Sequence, residues 1–172
     1  MSFINLSLGN PVVREQETIT GELGAIGARF IMAADPSHGR FSLVEHPIIP
    51  RGLASALHLH TREDEYSFVL QGRWGFQLGS EVVYAEAGDL VFKPRNVWHT
   101  FWNATEKPAR LLEIISPAGF EQFFVELAAL RESEPEDLEA VAALHARYGV
   151  EVDPGSVARL VAEHGLVAPR VR

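Results

Sequence analysis

The strongest constraint on the fold is a succession of short segments rich in branched and aromatic residues, each closed by turn residues. They are Arg29–Ala33, Arg40–Val44, Ala54–His60, Tyr66–Leu70, Trp74–Leu78, Glu81–Ala85, Asp89–Lys93, His99–Trp102 and Arg110–Ile115. Strands of that length and spacing belong to a sandwich or small barrel, not to a helical bundle. Gly79-Ser80 supplies a two-residue hairpin turn between Leu78 and Glu81. The 172 residues suit a single domain. A hydrophobic content of 47% provides a core, and the ten Pro and fourteen Gly are scattered as frequent turns require. The expected fold is all-β: a barrel over residues 28–116, preceded by an arm over 1–27 with one or two short strands.

After Pro117 the pattern turns helical. Ser116 and Pro117 read as a cap and a first-turn proline. Phe120, Phe123, Phe124, Leu127 and Leu130 then follow helical spacing and form one apolar face. Such a stripe exists to bury area, against the barrel or a partner subunit. Ser133-Glu134-Pro135-Glu136 reads as a capping box opening a second helix closed by Gly149, and Asp153-Pro154 opens a third closed by Gly165. Residues 117–172 are thus expected as C-terminal helices packed on the barrel or on a dimer partner, with a frayed tail from Val167.

The net charge of −8 argues against nucleic acid or an anionic membrane as a partner, since both call for a basic footprint. The first twenty residues lack the basic start and apolar run of a signal peptide. No stretch reaches the roughly 18 apolar residues of a membrane span. A soluble, cytoplasmic protein is expected. There is no Cys, so any metal must be held by His and carboxylate.

His58, His60, Glu65 and His99 answer to that requirement. His58 and His60 flank one residue, and period-two alternation on a strand sends both imidazoles to one face. Glu65 lies an odd number of residues beyond His60, on the opposite face of a straight strand; a turn or bulge at Thr61-Arg62-Glu63-Asp64 would remove that objection. Glu63 and Asp64 read as a solvated charge cluster. His99 comes from a distant strand whose face Phe101 and Asn103 share, as candidate pocket wall and polar contact or as plain packing and turn stabilisation. His38, His46, His145 and His164 read as structural or surface residues, and Trp74, Phe76, Trp98 and Trp102 as core or pocket aromatics.

Gly52-x5-His58-x-His60-x4-Glu65-x6-Gly72 resembles the first motif of the cupin superfamily, and Gly88-x5-Pro94-x-Asn96-x2-His99-x3-Asn103 the second. Asn96 stands where the family pattern has Gly, and Asn tolerates the left-handed conformation that Gly usually serves. All four metal-ligand positions of the family are filled, and the chain from Arg40 to Phe124 is similar to single-domain cupins of quercetin 2,3-dioxygenase type. The resemblance implies a double-stranded β-helix (jelly-roll) barrel and one divalent transition metal per chain (iron, nickel, manganese or copper, with zinc as a further option). It also implies a homodimer and a small-molecule substrate. A metal-dependent dioxygenase acting on a small aromatic or diketone-like substrate follows, with Glu65 as ligand and as proton acceptor. Two alternatives stand beside it: a sugar or small-acid isomerase or decarboxylase that needs no dioxygen, and a non-catalytic metal or small-molecule binding protein. An inward-facing basic cluster would favour anionic sugars or acids, and Lys93, Arg95 and Arg73 are the basic residues near the motifs.

Overall fold

The computed structural model describes residues 18–19, 25–34, 37–133 and 137–169. Ten strands come first: β1 (Thr18–Ile19), β2 (Ala28–Met32), β3 (Ser42–Ile48), β4 (Leu57–His60), β5 (Asp64–Gln71), β6 (Arg73–Leu78), β7 (Glu81–Glu86), β8 (Leu90–Lys93), β9 (His99–Asn103) and β10 (Ala109–Ser116). Two helices, α1 (Glu121–Ser133) and α2 (Leu138–Arg147), are followed by β11 (Val150–Asp153) and α3 (Ser156–His164). The strands form two antiparallel sheets, ordered β1-β2-β3-β10-β5-β8 and β11-β4-β9-β6-β7. The fold is the expected double-stranded β-helix barrel with C-terminal helices.

Alternation sets what faces inward. Along β10, Ala109, Leu111, Glu113 and Ile115 are buried, as are Glu65, Ser67 and Val69 along β5. One end of the interior is apolar: Ile48, Val69, Trp74, Phe76, Phe101, Ala109 and Leu111 pack together there. Burying a side chain such as Phe76 is worth about 1.5–3 kcal/mol. The other end holds the polar residues. The predicted hairpin at Gly79-Ser80 is present, with Leu78 opposite Glu81 and Gly79 at φ 59.

The C-terminal region departs from expectation in three places. Ser116 does not cap a helix: it ends β10, paired with Asp64, and its hydroxyl donates to the Arg40 carbonyl at 2.9 Å. The ladder to β5 outlasts the local capping signal, and α1 opens only at Glu121. The second helix is capped by Asp137, whose carboxylate accepts from Ala140 N at 2.8 Å; Glu134, Pro135 and Glu136 of the expected capping box lie outside the described residues. Between the second and third helices the chain forms β11, which joins the edge of β4 with Val150 opposite His60 and Val152 opposite His58. Gly149 makes this possible. Its φ is +70, and a Cβ there would meet Thr61 Oγ1 at 2.4 Å.

The Phe stripe is spent inside the chain. Phe120 and Phe123 are buried with Ala28, Phe30, Val44 and Ile115, and Phe124, Leu127 and Leu130 pack against them. Exposed apolar side chains lie instead on the outer face of β5 and β8, at Phe68, Leu70, Leu90 and Phe92. Helix α3 covers the outer side of β9, where Leu160 packs on Trp102 and His164 stacks on the same indole. Of the tail, Val167 is tied down: its N–H donates to Arg51 O at 2.7 Å and its carbonyl accepts from Leu53 N at 3.0 Å. Residues 170–172, like most of the 1–27 arm, lie outside the described residues. Among the described residues no helix is long and apolar enough to cross a membrane.

Candidate metal centre

The three imidazoles come from two neighbouring strands. His58 and His60 project from the same face of β4, while Leu59 points to the other side. His99 sits directly across from His58 in the β4–β9 pair. One nitrogen of each of the three lies within 4.8 Å of the others, a spacing that one ion can bridge. The chain then leaves this sheet. Thr61, Arg62 and Glu63 carry it across to the six-stranded sheet, where β5 presents Glu65 from the opposite wall. The odd separation from His60 is thus resolved by a change of sheet, not by a bulge within one strand. Asn96, at φ 63, turns the chain back toward β9, and its N–H donates to His60 O at 2.7 Å.

Local backbone sets the imidazole tautomers. His58 Nδ1 lies 2.9 Å from Ala56 O and His99 Nδ1 lies 2.9 Å from Val97 O, each carbonyl two residues upstream. A carbonyl only accepts, so both Nδ1 atoms carry a proton, and Nε2 is the atom left to face the cluster. Both ring nitrogens of His60, and Nε2 of His99, are buried with no hydrogen-bond partner. Burial pushes the His60 imidazole down to about 4 against the pull of Glu65. Burial together with the two neighbouring imidazoles holds His58 well below its ordinary value. Unpartnered buried nitrogens on converging imidazoles suit a divalent ion, since buried polar atoms otherwise carry a desolvation cost.

Glu65 approaches two of the three. Its Oε1 is 3.4 Å from His60 Nε2 and its Oε2 is 3.3 Å from His99 Nε2. The tight nitrogen cluster comprises the histidines alone, with Glu65 beside it. Burial would raise the Glu65 carboxyl, but Lys93 and the imidazoles beside it hold it well below the usual carboxylate range. Lys93, 1% exposed, donates to Glu65 Oε2 at 2.8 Å and to Glu113 Oε2 at 2.8 Å. Ser67 donates to the Glu113 carboxylate at 3.0 Å. Against the tendency of burial, Glu113 and Glu65 keep Lys93 charged and raise it above its ordinary value, whereas burial pushes Glu113 up to about 7. Of the three basic residues near the motifs, only Lys93 enters the barrel. Arg95 pairs with Asp64 at 2.8 Å, and Arg73 lies near Glu86 and over the Tyr84 ring.

The remaining predicted site residues fall in different places. Phe101 lines the interior beneath Lys93, whose Nζ lies 4.4 Å from the ring centroid. Asn103 is fully buried and committed to loops: its Nδ2 donates to Ile49 O and Lys107 O, and its Oδ1 accepts from the Thr105 N–H and hydroxyl. Glu63 is not solvated as expected. It is 7% exposed, its Oε2 stands 3.8 Å from His60 Nδ1, and burial pushes it up to about 7. The crossing between sheets turns it inward while Asp64 stays outside. His46 is also internal, donating Nδ1–H to Gly27 O at 2.8 Å. The C-terminal segment roofs this end, with the Phe120 ring 4.4 Å from that of His60 and Phe124 5.2 Å from that of His46.

The sequence reading missed Glu113, Ser67 and the inward aim of Lys93. A signal was present. Glu113 interrupts the apolar run Leu111-Leu112-Glu113-Ile114-Ile115, and Ser67 shares the strand face of Glu65 by alternation.

The sequence pattern of the family described as Cupin domain matches residues 46–115. The match covers 70 of the 172 residues. No curated protein matches the chain. The cupin fold here is similar to that of KdgF from Halomonas sp., at 18% identity over 70% of this chain and 96% of that one, with a TM-score of 0.53. It is also similar to Pac13 of Streptomyces, a nucleoside dehydratase, at 22% identity over 64% and 83% of the two chains and a TM-score of 0.51. A predicted oxalate decarboxylase from Thermotoga maritima gives 20% identity, 62% and 98% coverage and a TM-score of 0.54. At such identities the likeness speaks for the fold.

Proposed function

We propose that this cupin is a metal-dependent enzyme that takes a small enolisable substrate as its anion, with His58, His60, His99 and Glu65 holding the metal. The observation that carries this reading is the convergence of three imidazoles, with both His60 nitrogens and His99 Nε2 unpartnered, beside one ionised carboxylate. Nitrogen donors with one oxygen suit iron, manganese, nickel, copper or zinc. A bound ion of this kind polarises a substrate oxygen and, if redox-active, supports reaction with dioxygen. The chain's own residues do the rest. Glu65, beside the imidazole cluster, is the group that would accept the proton of a substrate hydroxyl. Lys93 offsets the charge of Glu65 and Glu113 inside the barrel. Phe101, Phe120 and Phe124 supply apolar walls that exclude water.

The first form of this reading is a quercetinase-like dioxygenase acting on an aromatic or diketone-like substrate, supported by those aromatic walls. The second is an isomerase or decarboxylase of an anionic sugar or acid. The named activities among similar folds, a dehydratase and a predicted decarboxylase, are in keeping with it. Elemental analysis of untagged protein, followed by oxygen uptake on adding quercetin or a simple diketone, separates them. About one redox metal per chain with substrate-dependent uptake supports the dioxygenase. Metal without uptake, after reconstitution with iron, nickel, manganese and copper, moves the assignment to the oxygen-independent form. Failure of every first-row ion to bind sinks both.

A further inference from the structure

A buried ammonium shared between two carboxylates calls for a physical reason. Lys93 is 1% exposed, Glu113 1%, Ser67 0% and Glu65 4%. Apolar residues in place of the whole triad would serve packing as well or better, because desolvating three charged groups offsets their attraction. The geometry points instead to the carboxylate that faces the imidazoles. Lys93 and Glu65 are cross-strand partners between β8 and β5, and Glu113 and Ser67 are partners between β10 and β5. Strand register thus aligns Glu65, Lys93, Glu113 and Ser67 into one chain of contacts across the six-stranded wall.

Each contact restricts the next. Ser67 donates to both oxygens of Glu113 at 3.0 Å, Glu113 Oε2 accepts from Lys93 at 2.8 Å, and Lys93 donates to Glu65 Oε2 at 2.8 Å. The Phe101 ring closes beneath the ammonium at 4.4 Å. A carboxylate gripped at one oxygen cannot rotate freely. Oε1, 3.4 Å from His60 Nε2, is the oxygen that Lys93 leaves unclaimed.

We propose that Lys93, anchored by Glu113 and Ser67, is a positioning residue that clamps Glu65 Oε2 and so presents Oε1 to the imidazole cluster. The inference rests on the reading of Glu65 as a metal ligand, and names the residues that decide how it ligates. Partners of this kind orient metal ligands, and their loss typically costs about 10–100-fold in metal affinity.

The test uses Co2+ as the probe, read by its visible absorption and by competition with a chromophoric chelator. Lys93→Met combined with Glu113→Gln removes one charge of each sign. The clamp predicts an altered Co2+ absorption band and a Kd weaker by about 10–100-fold. Ser67→Ala loosens only the far anchor, and is expected to move the band in the same direction by less. A purely structural network would lower the thermal midpoint and leave band and Kd unmoved, which overturns the proposal. Should the double variant not fold, Ser67→Ala decides alone: a shifted band supports the clamp and an unchanged one overturns it. Glu65→Gln separates the two levels of the argument. If it leaves band and Kd at wild-type values, Glu65 is no ligand and both readings fall. If it moves both while the Lys93→Met, Glu113→Gln protein moves neither, only the clamp falls.

Discussion

The two walls of the barrel hold their polar residues in opposite ways. On the five-stranded wall, His58 and His99 are each oriented by a backbone carbonyl two residues upstream, and all three imidazoles lie on two adjoining strands. On the six-stranded wall, Glu65, Lys93, Glu113 and Ser67 orient one another through side chains brought together by strand pairing. The first arrangement is neutral and locally determined. The second is ionic, shared among three strands, and fails as a unit if one charge is removed. Neutral donors tethered to backbone tolerate loss of a neighbour; a buried ion network does not.

That contrast can be broken most directly at the histidines. His58→Ala or His99→Ala should lose most bound metal, with affinity down by at least about 100-fold, beyond the 10–100-fold typical of losing an orienting partner. The barrel should stay folded, as judged by circular dichroism. Full metal content in either variant would refute the site. On the opposite wall the single substitution Lys93→Met should act on stability instead. It strands two buried carboxylates and is expected to cost about 3–5 kcal/mol in denaturant unfolding. A loss below about 1 kcal/mol would show that the network is relaxed or hydrated in solution.

The smallest of these effects depends on pH. Burial pushes His46 from its ordinary 6.5 to about 4, with Lys93 opposing protonation and Glu65 and Glu45 favouring it. Above pH 6.5 the imidazole is neutral in folded and unfolded chains alike. As pH falls from 6.5 toward about 4 only the unfolded chain takes up the proton, so stability is withdrawn across that window, by up to about 3 kcal/mol. Glu63 and Glu113, both pushed up to about 7, act with the opposite sign, because the folded chain binds their protons first. Comparing metal-free wild type with His46→Asn cancels those slopes. The stability difference should move against wild type from pH 6.5 to 4, and a constant difference would sink the assignment.

Legibility followed the same division. Alternation along His58-Leu59-His60 was enough to place two imidazoles on one face, and the turn at Gly79-Ser80 and the left-handed Asn96 were readable from residue chemistry. Glu63 was misread because its direction depends on where the chain leaves one sheet for the other. Ser116 was misread because a ladder with β5 competes with helix capping and wins. The strand β11 carries no local signal that outweighs its neighbouring helices. It forms because β4 has an open edge on which Val150–Asp153 can pair.

The sequence by itself determined the barrel, the two imidazole-bearing strands and the chemistry of the donors, because residue type, turn chemistry and period-two alternation act within a few neighbouring residues. The tertiary structure alone decided that Glu65 faces the histidines from the opposite sheet, that Lys93 turns inward while Arg73 and Arg95 stay outside, and that Glu113 lies two strands away on the same sheet to receive it. Those outcomes depend on register between strands far apart in the chain. Register is set by how the whole hydrophobic pattern packs.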